Sequence, residues 1–337
     1  MILLRIADII KKAVAGIGAA VMMMSFSACS KTEIHEVEVV HETKVPPKMM
    51  FLGDSIAAGY GLDGYKKGDN YNCPSYSNIL KNKYTSELEG ECGHTMVNEA
   101  VSGYTSSDLI SQLQSGELDS ELKDADAVVV SIGGNDLLGI LFKLIDSLGI
   151  EDINNFDVKD IDFAGAAVAL LGMGSEADKA LEQFTVNIDI ISSELKSRTD
   201  GTVFVQTLYD PVEYFDRLSV ITEFTAQNIE KLNNIISEKS ANGYKVIDVA
   251  PRFKGRADEL TNIKKMDIHP NAAGHEIIAE EVDKAFRATG FSYVTTEKVE
   301  QKSTDVAKTA LLWSGVGIAL LVIIFGVIFA LRKKSKK

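Results

Sequence analysis

Four short stretches of this chain carry residue types able to do hydrolytic chemistry. The first is Met49-Met50-Phe51-Leu52-Gly53-Asp54-Ser55-Ile56-Ala57-Ala58-Gly59-Tyr60-Gly61, an apolar run that breaks at glycine and delivers a serine. Bounded by turn residues, such a run reads as a buried strand, and Gly53-Asp54-Ser55 places a hydroxyl just beyond its carboxyl end. Open α/β sheets keep their chemistry at that edge. Asn98-Glu99-Ala100-Val101-Ser102-Gly103-Tyr104-Thr105, Ser131-Ile132-Gly133-Gly134-Asn135-Asp136 and Asp267-Ile268-His269-Pro270 follow in that order. Ester cleavage by serine needs a base for the hydroxyl proton and donors aimed at the oxygen that becomes negative. Gly103 lets a backbone N–H approach a substrate closely, and the Asn135 amide offers a second donor without charge. Asp267 and His269, two apart, share a face in an extended segment or meet across a turn.

Together the four stretches resemble the four signature blocks of the GDSL/SGNH hydrolase family, over roughly Lys48 to Phe291. The resemblance implies a serine esterase or lipase that uses no metal or organic cofactor. In it Ser55 attacks, His269 takes the proton and Asp267 orients the imidazole. The N–H of Ser55, the N–H of Gly103 and the side chain of Asn135 form the oxyanion hole. The implied fold is a three-layer α/β/α sandwich on a five-stranded parallel sheet of flavodoxin-like order. The implied substrates are carboxylic esters, either acyl esters such as lysophospholipids or, alternatively, O-acetyl groups on cell-envelope or extracellular glycans. A non-catalytic surface binding protein on a hydrolase scaffold is the reading from another class.

Elements able to position these residues are visible in the pattern. Strands are expected at Met49–Leu52, Thr95–Val97, Ala127–Ile132, Thr202–Leu208 and Lys245–Val249. Ala127–Ile132 is β-branched and apolar on both faces, as a parallel strand between helix layers should be. Helices are expected at 74–88, from Ser106, from a serine cap at Ser175 to about Lys196, at Glu223–Lys239 and at Asn271–Phe286. Alternating strands and helices imply a parallel sheet covered on both faces, so Ser55, Gly103 and Asn135 gather at one edge. The long connection from Leu137 to Gly174 has two apolar stretches around an acidic one, and reads as either a wall or lid beside Ser55 or a helix pair packed on the sheet. Its acidic segment lacks the ligand spacing of a calcium loop.

Both ends lie outside this domain. Residues 1–28 read as a leader, with Arg5, Lys11 and Lys12 ahead of an uncharged stretch. It ends in Phe26-Ser27-Ala28-Cys29, which resembles a bacterial lipoprotein processing site with Cys29 lipidated; ordinary cleavage and an uncleaved anchor are the alternatives. Residues 29–47 read as a spacer, 48–291 as the hydrolase domain and 292–308 as a juxtamembrane linker. Thr309–Leu331 is an uncharged run long enough for a transmembrane helix, and the basic tail 332–337 places its end in the cytoplasm and the domain outside the cell membrane. In that compartment Cys73 and Cys92 are expected to form a disulfide, with two free buried thiols as the alternative. No metal is expected there, since His94 is the one further ligand nearby.

A net charge of −13 disfavours a nucleic-acid partner. The expected partners are the ester substrate and the membrane. Asp54 and Asp136 are expected to hydrogen-bond loop backbone and hold the two donors in place. His275 reads as a packing or surface histidine, His35 and His41 as spacer residues, and Tyr209-Asp210-Pro211 as the turn closing the fourth strand.

Overall fold

The computed structural model describes residues 31–88, 93–147, 163–215 and 219–303. In chain order these hold β1 (Lys31–Thr43), β2 (Lys48–Gly53), α1 (Ser55–Ala58), α2 (Tyr76–Glu87), β3 (Thr95–Asn98), α3 (Ser106–Gln114) and α4 (Asp119–Asp124). Then come β4 (Ala127–Ser131), α5 (Gly134–Ser147), α6 (Phe163–Arg198), β5 (Thr202–Gln206), α7 (Ser219–Lys239) and β6 (Lys245–Ile247). The short α8 (Ala250–Phe253) and α9 (Ala257–Leu260) precede α10 (Ala272–Thr289) and β7 (Phe291–Ser303).

Five strands form one parallel sheet in the order β3-β2-β4-β5-β6. Chain order reverses after β3, so the crossover β2-α2-β3 runs one way and all later ones run the other. Right-handed crossovers then put α2 on one face and α3, α6 and α7 on the opposite face. The packing agrees: α10 lies against α2, and α6 touches α3, α5 and α7. Ions join α2 to α10, with Arg287 bound to Glu87 and Lys83 to Asp283. Covered on both sides, β4 is buried at every residue, and Phe51, Leu52, Val129 and Phe204 are fully buried around it. The strand order matches expectation and fixes the switch point between β2 and β4, where a crevice opens beyond the carboxyl ends.

Three expectations about elements are corrected. The helix expected to start at Ser175 starts at Phe163, where four alanines and two leucines before Ser175 outweigh the three glycines among them. The segment expected to be spacer contains β1, whose Glu36 and Glu38 alternate with Val37 and Val39, and the expected linker contains most of β7. These two strands form a separate two-stranded sheet, a way for β-branched segments to satisfy their backbone groups.

Val40–Tyr293 is one compact unit holding the sheet and every site residue described below, and within it His41 stacks on Tyr293 at 5.0 Å. In the second unit, which takes the outer parts of β1 and β7, Lys298 and Glu36 approach to 4.0 Å. Among the described residues no helix is long and apolar enough to cross a membrane. Cys29 and the expected span 309–331 lie outside those residues.

Candidate active site

β2 ends at Gly53 with φ of 123°, and a Cβ there would lie 1.8 Å from the Ser131 carbonyl oxygen. Only glycine lets β2 and β4 end this close together, with the Asp54 N–H donating to Ser131 O at 2.9 Å. The Asp54 carboxylate then caps α1 by accepting from the Ile56 N–H at 3.0 Å. Ser55 is therefore the first residue of a helix, where its N–H is one of the donors the helix itself cannot use. Its side chain is mostly buried but reaches a crevice.

Asp267 and His269 meet across a turn. The Asp267 Oδ1 atom accepts from the His269 backbone N–H at 3.0 Å and lies 2.5 Å from its Nδ1. A carboxylate can only accept, so Nδ1 carries the proton and Nε2 presents a lone pair. That lone pair faces the Ser55 hydroxyl at 2.8 Å. The turn is pinned by Tyr209, which donates its hydroxyl to Ile268 O at 2.9 Å and stacks its ring on that of Phe253.

The remaining two stretches are laced to the first. Val101 N–H donates to Gly53 O at 2.9 Å, and the Asn135 Nδ2 donates to Tyr104 O at 2.8 Å. Asp136 accepts from the Ser106 N–H at 3.0 Å and from its hydroxyl at 2.5 Å. Asn135 is thus tied to the stretch that carries Gly103, and Asp54 and Asp136 bond loop backbone as expected. The second proton of the Asn135 amide is left for another acceptor.

Buried acids surround this arrangement. Burial pushes Asp54 up to about 7 despite its bond from Ile56 and one from Ser131 at 3.3 Å. Burial raises Asp136 too, against the two Ser106 bonds. Asp210 is pushed up to about 6 by burial, and its carboxylate accepts from the Val212 N–H at 2.8 Å, closing the turn after β5. His275 is fully buried, accepts from the Tyr76 N–H at 3.2 Å and is driven down to about 3 by burial, so it stays neutral and is a packing residue.

Beside Ser55 opens a crevice with an empty volume of about 820 Å³, its open mouth included. Asp54, Ser55, Asn135 and His269 line one end. The walls are apolar: Leu137, Leu138, Ile140 and Leu141 from α5, Phe224 and Ile229 from α7, and Leu208, Pro211 and Val212 from the segment after β5. Within the connection expected to be a wall or a helix pair, residues 137–147 form a helix that is also a wall; residues 148–162 lie outside the described residues. Sequence reasoning missed the α7 wall, Tyr209 as a brace, and Tyr60, whose ring lies 4.5 Å from that of His269. The apolar spacing of Phe224 and Ile229 is indistinguishable from a core pattern, whereas Tyr60 lies within the serine stretch itself.

The expected Cys73–Cys92 disulfide is corrected on one side. Cys73 is a free, buried thiol, its Sγ 3.9 Å from the Ala58 carbonyl oxygen and packed against Gly59 behind the nucleophile helix. Cys92 lies outside the described residues. Among those residues no cluster of His, Cys, Asp and Glu could hold a metal ion.

Residues 51–277 match the profile of the GDSL-like Lipase/Acylhydrolase family. The uncharacterized protein YpmR of Bacillus subtilis is 24% identical over 285 residues, covering 80% of this chain and 95% of YpmR. The spore germination lipase LipC of Bacillus licheniformis is 26% identical over 240 residues, covering 71% of this chain and 94% of LipC. Among solved structures, the lipase Lip_vut3 from a goat rumen metagenome is 21% identical with a TM-score of 0.49, covering 71% of this chain and 96% of that one. Axe2, an acetylxylan esterase from Geobacillus stearothermophilus, is 17% identical with a TM-score of 0.46, covering 72% and 96%.

Proposed function

The chain belongs to the GDSL-like lipase/acylhydrolase family and is an ester-hydrolysing enzyme, and on that premise we propose that it cleaves carboxylic esters bearing medium or long acyl chains. The observation that carries this reading is the apolar crevice that begins at Ser55. An acetyl group on Ser55 would leave the apolar walls from α5 and α7 uncovered. Each methylene buried there is worth about 0.8 kcal/mol, or roughly fourfold in kcat/KM, until the crevice is full.

In the proposed mechanism the Ser55 hydroxyl passes its proton to Nε2 of His269 as its oxygen attacks the ester carbonyl. Asp267 holds the imidazole in the required tautomer and balances the imidazolium. The tetrahedral oxyanion takes hydrogen bonds from the Ser55 N–H, the Gly103 N–H and the Asn135 amide. His269 then gives its proton to the leaving alcohol, and an acyl-enzyme remains on Ser55. Water, deprotonated by His269, attacks the acyl-enzyme, and Ser55 recovers the proton as the acid leaves. No step calls on a metal or organic cofactor. The apolar run 309–331 and basic tail support placing this activity outside the cell membrane, with that run as anchor and Cys29 as a second, lipid one.

The test compares hydrolysis of p-nitrophenyl acetate, butyrate, octanoate and palmitate by the parent and its Ser55→Ala variant. The expected result is activity that rises from acetate to octanoate and vanishes in the variant. A preference for acetate would move the assignment to a glycan O-acetylesterase. A folded parent no faster than the variant on these esters, on acetylated glycans and on lysophospholipids would leave a binding protein on a hydrolase scaffold.

A further inference from the structure

Tyr60 sits outside the crevice that takes the acyl group, against the His269 ring. The two ring centroids are 4.5 Å apart with the planes inclined at 47°. That is well inside the distance at which an aromatic face attracts a cation, about 6 Å. The position is built rather than incidental. Gly59 closes α1 in the left-handed conformation, and the Tyr60 N–H donates back to the carbonyl of Ser55 at 3.0 Å. The next residue, Gly61, has φ of 84°, and a Cβ on it would come within 2.9 Å of the Asp267 Oδ2 atom. The turn that leaves the nucleophile helix therefore wraps both Asp267 and His269. The Tyr60 ring is also met edge-on by Tyr65, with ring centroids 5.3 Å apart. Although braced, Tyr60 keeps about two-fifths of its surface exposed at 41%.

The proposed mechanism makes His269 a cation twice, once in each half of the reaction. Asp267 faces that charge from one side only, through Nδ1. We propose that Tyr60 is a positioning residue that acts through His269, its ring both fixing the imidazole plane and favouring the imidazolium formed in each transition state. The inference rests on the Ser55–His269 reading above. It separates two roles that a structural brace alone would not: the ring's shape, which phenylalanine and fluorinated phenylalanines keep, and its electron-rich face, which fluorination removes.

The experiment measures pH profiles of kcat and kcat/KM on p-nitrophenyl butyrate with the full-length chain. It uses Tyr60→Phe, Tyr60→Leu and a series of increasingly fluorinated phenylalanines at residue 60, alongside Ser55→Ala. The other titratable groups near His269 are unchanged in every variant: Asp267 on its own loop, Asp54 ahead of α1, and His275 on α10. Expected are near-parental rates for Tyr60→Phe and a stepwise fall in kcat with fluorination, to about three- to fivefold. The acidic limb of the kcat/KM profile should move to lower pH by roughly half a unit in Tyr60→Leu. If the ring merely shielded His269 from water, its removal would move that limb to higher pH. Such a shift, or rates independent of fluorination, would overturn the inference while Ser55→Ala stays inactive. Activity persisting in Ser55→Ala would overturn the underlying reading as well.

Discussion

At the scale of single residues, the site depends on buried acids that bond its loop backbone. Asp54 is the clearest, because burial raises it from an ordinary 3.8 to about 7 while its carboxylate caps the helix that carries Ser55. The folded chain thus holds this proton more tightly than the unfolded chain does. Between those two values folding takes up protons, so this group's contribution makes stability fall as pH rises from about 4 to about 7. Asparagine at residue 54 keeps the cap and removes the buried charge. The stability of Asp54→Asn relative to the parent is expected to climb between pH 5 and pH 8 by on the order of 2–3 kcal/mol. A pH-independent difference in calorimetry would show that the buried carboxylate does not titrate in this window. Ser55, Asp267 and His269, which the structure brings within hydrogen-bond reach of one another, are legible in the sequence through the family resemblance of their stretches. Tyr60 is not, since a contact across the fold between its ring and that of His269 leaves no local spacing to read. The free thiol at Cys73 was also hidden, because its packing against Gly59 and Ala58 follows from the fold and not from its distance to another cysteine.

At the scale of elements, α5 joins two functions. It starts at Gly134, directly after β4, so Asn135 and Leu138 lie one turn apart on the same face and Leu141 follows on the next turn. The candidate oxyanion donor and the wall of the crevice therefore move together. A larger side chain on that face should shorten the usable crevice without shifting the first turn. In Leu141→Trp, kcat/KM on octanoate and palmitate is expected to fall at least about tenfold, the equivalent of roughly two lost methylenes, with acetate little changed. Equal losses on every ester would mean instead that the helix start had moved. The five sheet strands are legible from apolar, β-branched runs; β2 and β3 extend slightly past the expected ends, and β4, β5 and β6 stop slightly short of them. The opposing wall on α7 is not, for Phe224, Thr225, Asn228 and Ile229 follow the same helical spacing whether they face a core or a cavity.

At the scale of the whole molecule, the first and last described strands are each other's partners. β1 reads as spacer because charges mix with valine ahead of Pro46-Pro47, and alternation with glutamate suits a ribbon as well as a tether. Only the presence of Phe291–Ser303 as partner decides between them. Phe291 packs on Phe286 in the core and Tyr293 stacks on His41, so a chain ending at Tyr293 retains those contacts and loses the rest of β7. Such a chain is expected to keep its esterase activity while amides of 36–39 lose protection in hydrogen exchange; retained protection there would mean that β1 does not rely on β7. The pairing also has a consequence in time. During synthesis β1 leaves the ribosome before any other described strand, and its partner leaves last, after the entire sheet has been made. Until then a row of unpaired N–H and C=O groups flanked by Val37, Val39 and Val40 stands open, a surface on which a neighbouring nascent chain could add a strand. Glu33, Glu36, Glu38 and Glu42 put negative charge along that row. Two such segments would repel one another, and the glutamates that made β1 look like a tether would keep it solitary until its own partner arrives.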